Sequence, residues 1–372
     1  ILSTMVLVTL SGGANIYAGG DYMQKAMFPH DFSIQGKGVM GEQMEQALTE
    51  FVNEQQLPVT KKVIYPYYTM GVKGRVGNQL DIFDANQKFV TPKAYILAVS
   101  EADYQSMTGK TLNLGDDEVA LYQQGVKLDS KQDLQLAGQT FKIKEELKED
   151  FIFGNLPDQM NMIIPEKIYM VLKNPSQVFS ALMDKYAVNL DYYGGLNTKL
   201  STEEQRNLQD AYQEKLHLFN QTLSENQAVY GSVTAFDKQE IKGMLGGMFF
   251  IGIFLSIVFM LGTILIIYYK QISEGYEDRD RFVILQKVGL DEKQIRQTIR
   301  KQILIVFFLP LAFAFIHLTF AYHMLSLILS ALGVLNSVLM LAVTLGVCAI
   351  FFISYVIVFM ITSRSYRKIV SM

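Results

Sequence analysis

The stretch GMLGGMFFIGIFLSIVFMLGTILIIYY, residues 243–269, contains no charged residue. A second stretch without Asp, Glu, Lys or Arg covers residues 302–363, and only His317 and His323 interrupt it. An apolar helix of about 20 residues crosses the hydrocarbon core of a bilayer. Buried helices of soluble proteins usually keep a polar face, and no polar face recurs in these stretches. We therefore predict a membrane protein with spans at about 244–269, 303–332 and 338–362.

The first 19 residues are also apolar, but they contain neither an initial Met nor a basic run. We interpret residues 1–19 as the outer end of a truncated transmembrane helix whose first part lies before residue 1. A signal peptide is the alternative, because small residues follow the apolar run.

Lys and Arg residues indicate the orientation of the spans, because short loops rich in them stay in the cytoplasm. The segment 270–302 contains eight Lys and Arg residues, and the C-terminal tail contains Arg364, Arg367 and Lys368. The turn near 333–337, by contrast, contains none. This distribution predicts a multi-pass membrane protein with segment 270–302 and the C-terminus in the cytoplasm. Residues 20–236 then lie outside the cell, between the first and second spans.

Residues 20–236 read as a folded α+β domain. Short runs rich in Ile, Val, Tyr and Phe, such as those at 61–74, 93–100 and 117–125, are typical of strands. Helical patterns separate some of these runs, as at 42–55 and 176–186. No repeat interrupts the region, so we predict one extracytoplasmic domain.

The strongest helical pattern of this domain covers residues 201–226. Ser201 and Glu204 fit a capping box at its start, and apolar residues then recur at intervals of three or four. Asp237 and Glu240 suggest a second helix cap. We predict that a helix runs from there into the membrane without a break, as a stalk that couples the outer domain to the membrane part, residues 237–372.

Charge and cysteine content add two expectations. Residues 20–242 contain 22 Lys and Arg against 30 Asp and Glu, a net charge of −8, which can attract cationic ligands, although many acidic domains have none. The single cysteine, Cys348, lies in the last apolar stretch. The outer domain therefore has no disulfide and depends on its own hydrophobic core.

Motifs of catalysis and of nucleotide or metal binding are absent from the sequence. It contains no phosphate loop, HExxH, CxxC or GxSxG motif. The four histidines are too scattered for a metal site; they are His30, His217, His317 and His323. We expect no catalytic residue, no metal, no bound cofactor and no nucleic-acid partner, so any catalysis belongs to a partner protein.

The segment 274–302 carries charges of both signs at helical spacing. An apolar ridge that contains Phe282 and Leu285 precedes Gly289, a residue that can adopt a left-handed cap conformation. Asp291 then offers an N-cap to a helix with Ile295 on its apolar face. We predict two short amphipathic helices joined by a glycine bend, which form a surface that a soluble protein can bind. A solvated loop is the alternative.

The sequence RFVILQKVGLDEKQIRQTIRKQILI, residues 281–305, resembles the cytoplasmic coupling segment of FtsX-like (MacB-type) permeases of ABC transporters. Leu285 and Gly289 match the Leu and the Gly, four residues apart, of that pattern. Arg281 stands where Glu is usual, as in the bacitracin-export (BceB-like) branch of Gram-positive bacteria. The stretches 268–282 and 100–110 are similar to that branch and to the outer domain of the family, respectively.

The resemblance implies a protein of the bacterial plasma membrane. It implies an FtsX/MacB-type permease domain with a large extracytoplasmic domain inserted between the first and second spans. It implies that a separate ATPase, which binds ATP and Mg, docks on the coupling segment. The implied docking residues are Arg281, Phe282, Leu285, Lys287, Gly289, Asp291, Ile295, Arg296 and Arg300. In the BceB-like branch this chain would be the C-terminal part of a longer permease, whereas a MacB-type permease needs only four spans.

For the BceB-like branch, the resemblance implies resistance to peptide antibiotics by mechanotransmission, often beside a sensor histidine kinase. The ligand would be a bacitracin-like or cationic peptide, or a lipid-cycle ligand, bound at the outer domain. The alternative functions are an FtsX-like, non-transporting regulator of cell-wall hydrolases, a lipoprotein- or macrolide-type MacB-like exporter, and a receptor or adhesin that has no ATPase.

Overall fold

The computed structural model describes residues 1–87, 90–157, 166–225, 227–287, 292–331 and 337–370. The chain divides into two compact units. The helical unit comprises Ile1–Gly20 and Gly243–Met372, and the β-rich unit comprises Asp21–Lys242. Each unit has its own interior, so each is described by itself.

Within the described ranges, the helices are α1 (Leu2–Met27), α2 (Gly41–Gln55), α3 (Glu101–Thr108), α4 (Pro175–Phe179), α5 (Thr202–Asn207), α6 (Gln209–Gln221), α7 (Thr234–Lys287), α8 (Glu292–Ala331) and α9 (Ser337–Val370). The strands are β1 (Phe32–Lys37), β2 (Val59–Val76), β3 (Gln79–Ile82), β4 (Ala94–Ser100), β5 (Glu118–Gln124), β6 (Leu134–Leu136), β7 (Gln139–Glu146), β8 (Lys167–Leu172), β9 (Val188–Thr198) and β10 (Ala228–Val233).

The strands form one mixed sheet in the order β10-β1-β9-β2-β3-β6-β7-β5-β8-β4, and β2 also pairs with β4. This extra pairing closes a circuit from β2 through β3, β6, β7, β5, β8 and β4 back to β2. Buried apolar side chains from every strand of the circuit, among them Met70, Leu121 and Met170, pack into one core. Alternation of side chains along each strand sends this set to one side of the sheet.

Two further cores complete the β-rich unit. Helices α2 and α6 cover one of them, where Phe32, Phe51 and Tyr212 are buried against each other. The other core contains Tyr169 and Tyr193, together with residues of α3 and of the segment 147–156. Strand β2 contributes to all three cores.

The capping box predicted at Ser201 and Glu204 is confirmed, because each residue bonds the other's backbone N–H. The single helix predicted over 201–226 is wrong in its length. It divides into α5 and α6 at Leu208, whose ψ of −3° departs from helical geometry. Its apolar stripe nevertheless faces the core, as Tyr212 and Leu216 are buried.

Among the residues described, three helices are long and apolar enough to cross a membrane: Thr234–Glu277, Phe307–Ser330 and Ser337–Ser363. The first of them begins within the β-rich unit, which ends at Lys242, and its apolar part belongs to the helical unit. Helix α7 begins at Thr234, three residues before the cap predicted at Asp237, which instead lies in its first turn. The helix has no break as far as Lys287.

Within the helical unit, α1 packs against the apolar helices. Val6 and Leu7 are buried in a cluster with Phe307 and Leu311. Hydroxyl groups of Thr9 and Ser256 lie 2.9 Å apart, and the Asn15 amide donates a 3.0 Å hydrogen bond to the Thr344 hydroxyl. Polar contacts of this kind hold helices together where apolar packing alone gives little preference.

The charged segment was predicted to form two short helices. The predicted length is wrong, because both helices are parts of longer ones. Residues before the predicted bend continue α7, and residues after it open α8, so both parts extend long helices. The pattern at 176–186 also gives less helix than expected, because α4 ends at Phe179.

Candidate functional site

The predicted ATPase-docking residues fall on two helices. Arg281, Phe282, Leu285 and Lys287 belong to the last two turns of α7. Residues Ile295, Arg296 and Arg300 belong to the first turns of α8. The side chains of these seven residues lie outside the described part of the structure, as do Gly289 and Asp291 entirely. The docking surface therefore stays a prediction.

A large cavity lies in the β-rich unit, with a volume of about 840 Å³. Residues of five strands line it, from β10 and β1 through β9 and β2 to β4. Ligand sites in proteins are usually concave pockets of about 300–1,000 Å³. The cavity is thus large enough for a ligand of several amino-acid residues.

The register of the strands explains which side chains meet at the cavity. Tyr67 of β2 lies opposite Asp191 of β9, and Thr69 lies opposite both Asn189 of β9 and Leu97 of β4. Directly opposed residues share a face of a sheet, and residues two apart along a strand do so too. These five side chains therefore form one continuous surface.

The same surface continues across the other end of the sheet. Gln35 of β1 lies opposite Tyr230 of β10 on one side and opposite Tyr193 of β9 on the other. Tyr193 is two residues from Asp191 in β9, so the two side chains share a face. Lys37 stands two residues beyond Gln35 and is exposed at the rim.

Asp191 contributes a carboxylate among the described lining residues, and its surroundings are only partly polar. Burial raises the pKa of this carboxyl group above its usual range, while a hydrogen bond from the Thr69 hydroxyl and the charge of Lys37 oppose the shift. The Thr69 hydroxyl lies 3.4 Å from Asp191 Oδ2. Burial raises the pKa of Tyr67, and the charge of Asp191 adds a smaller increase. The raised pKa keeps the Tyr67 phenol protonated.

Aromatic rings form much of the remaining wall. Tyr67, Tyr95, Phe83 and Tyr230 all line the cavity, and the Tyr230 side chain is 64% exposed. Tyrosine rings offer an apolar face, a negative π surface and a polar hydroxyl group. The arrangement suits binding through stacking and charge.

The described residues give the cavity no sign of metal chemistry. Among them, no group of three or more His, Cys, Asp or Glu side chains is placed to hold a metal ion. Among the described residues that line the cavity, the charged side chains are Asp191 and Lys37, and aromatic rings accompany them. These groups suit recognition of a ligand.

Sequence reasoning did not single out any residue of this cavity. Tyr67 and Asp191 are 124 positions apart in sequence and meet only through the β2–β9 pairing. The available signal was alternation in VNLDYYGG, residues 188–195, where polar Asn189 and Asp191 stand two apart between apolar neighbours. Such alternation predicts a strand with one polar face, but not its partner.

The fold and the apolar helices define the class of this chain as a membrane protein with a β-rich unit. Comparison with known proteins gives a more specific class. The chain is 33% identical over 119 residues to the ABC transporter permease protein YxdM of Bacillus subtilis (strain 168), which is 32% of this chain and 18% of YxdM. It is 30% identical over 132 residues to the uncharacterized ABC transporter permease YvcS of the same organism, which is 36% of this chain and 19% of YvcS.

The matched parts span about a fifth of the length of either relative. The similarity supports a relationship to ABC transporter permeases. No family model matches the chain. A solved Bacillus anthracis protein described as a lipoprotein is 8% identical and covers 54% of this chain and 96% of its own, with a TM-score of 0.25.

Proposed function

We propose that the chain acts as a permease subunit of an ABC transporter and is driven by a separate ATPase. The observation that carries this proposal is the similarity to two ABC transporter permeases at 30% identity or more over about a third of the chain. The apolar helices supply the membrane part that such a subunit requires. Permease subunits are generally non-catalytic, so ATP hydrolysis would belong to the partner.

The ATPase would dock on the cytoplasmic segment 270–302, with ATP and Mg bound to the ATPase. Closure of the ATPase around ATP would move the ends of α7 and α8, where the predicted docking residues lie. Helix α7 has no break between Thr234 and Lys287, and an unbroken helix can transmit a displacement along its axis. This is the basis for proposing mechanotransmission in an FtsX-type permease.

The finer function that we propose is resistance to peptide antibiotics of the bacitracin-like or cationic kind. In this proposal the β-rich unit is the extracytoplasmic domain, inserted between the first and second spans, and the C-terminus is cytoplasmic. A sensor histidine kinase would be a further partner. The resemblance of 268–305 to the BceB-like branch supports this proposal, as does the acidic balance of residues 20–242.

Copurification tests the ATPase partnership. We expect the full chain, purified from its native membrane, to bring an ABC ATPase with it, and the double variant Arg296→Glu/Arg300→Glu to lose most of that ATPase. The matched control is Lys131→Glu/Lys148→Glu, two charge reversals in the β-rich unit. Full retention of the ATPase by the α8 variant would contradict the docking surface, and absence of an ATPase from the wild-type sample would contradict the permease function.

Antibiotic sensitivity tests the finer function. We expect cells without the encoding gene to become more sensitive to bacitracin, and cells with the α8 double variant to be as sensitive as the deletion. The control variant should restore resistance. Unchanged sensitivity of the deletion strain to bacitracin and to cationic peptides would refute the resistance function while leaving the ATPase partnership intact.

A further inference from the structure

We propose that the cavity of the β-rich unit binds a peptide through one of its basic side chains, with the cationic group against Asp191 and the tyrosine rings around it. This inference rests on the proposed function, since it names the substrate class of the same permease. The geometry that supports it lies entirely within the β-rich unit.

The position of Asp191 is the first support. Asp191 lies directly opposite Tyr67 of β2 and two residues from Asn189 along β9. Its side chain is partly withdrawn from water. Withdrawal from water disfavours the charged form of a carboxylate. The charge of Asp191 therefore lowers the stability of the folded state. A ligand cation would offset that cost, and sites where local stability is sacrificed are often functional.

The aromatic rings are the second support. Tyr67, Tyr95 and Tyr230 line the same cavity as the carboxylate. The π face of a tyrosine attracts an ammonium or guanidinium group within about 6 Å of the ring centre. A lysine or arginine side chain thus meets an anion at its tip and apolar or π surfaces along its stem, which matches its amphipathic character.

The volume and the rim are the third support. A cavity of about 840 Å³ is larger than a single basic side chain needs, so neighbouring residues of a peptide have room. Lys37 at the rim is the competing charge, because it would favour an acidic ligand instead. Asp191 is half-buried whereas Lys37 is exposed, so water screens the charge of Lys37 more strongly than that of Asp191.

The test uses the full chain in lipid nanodiscs and three synthetic peptides, acetyl-Tyr-X-Phe-X-Tyr-amide, in which X is Lys, Gln or Glu. Binding is measured by isothermal titration calorimetry. We expect the Lys peptide to bind more tightly than the Gln peptide and the Glu peptide to bind most weakly. Asp191→Asn, which preserves size, should weaken binding of the Lys peptide about tenfold, as expected for the loss of one partly buried charge partner.

Two further variants keep this result interpretable. Asp117→Asn removes the same charge from the same unit at an exposed position paired with Lys142, and should leave the affinity unchanged. Tyr230→Leu removes an exposed ring and should weaken binding of the Lys peptide about threefold, in line with an exposed cation–π contact. Partial burial of the charged Asp191 carboxylate lowers the stability of the folded state. Asp191→Asn removes this charge and should therefore be at least as resistant to thermal unfolding as the wild type.

Several outcomes would overturn the inference. They are equal binding of the Lys and Gln peptides, preference for the Glu peptide, failure of all three peptides to bind, and equal losses in Asp117→Asn and Asp191→Asn. The last outcome would mean that the overall acidity of the unit attracts the peptide. Copurification of the ATPase is independent of these measurements, so failure of the cavity and failure of the permease function give different results.

Discussion

The β-rich unit and the helical unit are held together in different ways. The β-rich unit buries whole aromatic side chains, and Tyr65, Tyr169, Tyr193 and Tyr212 are among its largest fully buried residues. The helical unit exposes apolar side chains such as Phe250 and Phe320 along its helices, and its interior contacts include small and hydroxyl-bearing residues. The removal of apolar surface from water drives burial in the β-rich unit. In the helical unit, apolar side chains can stay exposed because lipid tails are apolar too.

The space around glycine residues illustrates the difference between the two units. In the helical unit, a Cβ added to Gly13 would meet the Gly252 Cα at 3.6 Å, an ordinary contact distance. In the β-rich unit, a Cβ added to Gly194 would lie 2.6 Å from the Ile34 side chain and 2.8 Å from that of Ile64. Gly194 is therefore less tolerant of a side chain than Gly13, and a substitution at Gly194 should have the larger effect on stability.

The largest effect that we expect is a pH dependence confined to the β-rich unit. Burial, with a smaller contribution from Lys61, lowers the pKa of His30 to about 4, below its ordinary value of 6.5. The unfolded chain therefore binds a proton at a higher pH than the folded unit does. Stability should be complete above about pH 6.5 and fall by about 3 kcal/mol as the pH drops to about 4.

Thermal unfolding followed by near-UV circular dichroism across this pH range would measure the loss. His30 packs against Tyr193, with its Nδ1 2.9 Å from the phenol oxygen. His30→Gln should be less stable at pH 7 but should lose much less stability between pH 6.5 and 4. An identical pH profile in wild type and variant would assign the effect to other groups.

Overpacking of strand β10 should destabilise the β-rich unit nearly as much. A Cβ at Gly231 would overlap the Ser33 carbonyl oxygen and lie 2.8 Å from the Leu216 side chain. Backbone cannot easily move away, so Gly231→Ala should lower the free energy of unfolding by about 2 to 3 kcal/mol. Gly74→Ala in β2 is the matched control, because its nearest neighbour lies at 4.0 Å. Similar chemical-denaturation midpoints for the two variants would show that the sheet is more adaptable than its geometry indicates.

Loss of one buried hydrogen bond should have an intermediate effect. The Tyr212 hydroxyl donates a 2.8 Å hydrogen bond to the Ser33 carbonyl from within an aromatic cluster. Tyr212→Phe should lower the free energy of unfolding by about 1 to 2 kcal/mol, because the partly buried Ser33 carbonyl loses a donor. The exposed Tyr230→Phe, measured by the same denaturant titration, should change little. Equal effects would mean that water replaces the lost donor.

The smallest effect is expected in the helical unit. Asn15→Ala removes the hydrogen bond to Thr344, and such bonds between membrane helices average about 0.6 kcal/mol. SDS titration of the purified chain in bicelles would measure the change. Ser354→Ala, which removes a bond to a carbonyl of the same helix, should have no measurable effect. A loss above about 2 kcal/mol for Asn15→Ala would erase the proposed contrast between the units.

The sequence predicted local features better than distant pairings. The absence of charged residues was enough to locate the apolar helices, because a transmembrane span is formed by one continuous stretch of sequence. Capping at Ser201 likewise depends on Glu204 nearby. Strand β9 was missed, since Gly194 and Gly195 reduce its strand propensity and their packing against β1 and β2 becomes evident only in the sheet.

The candidate cavity was beyond sequence reasoning for the same reason. Its carboxylate and its rim lysine belong to strands separated by more than 150 positions, and only the β1–β9 and β2–β9 pairings bring them to one surface. The docking residues predicted in the segment 270–302 rested on the sequence pattern and the resemblance. Helices on both sides of 288–291 agree with the predicted helical spacing but leave the roles of the side chains as predictions.

The 18-residue strand β2 has a consequence for how the chain is made. Its longest partner, β9, is synthesised more than a hundred residues later. Until Val188–Thr198 leaves the ribosome, β2 has an open edge along most of its length, and open edges recruit other chains. A polypeptide interrupted before residue 188 should therefore aggregate, whereas one that contains β9 can close the gap itself.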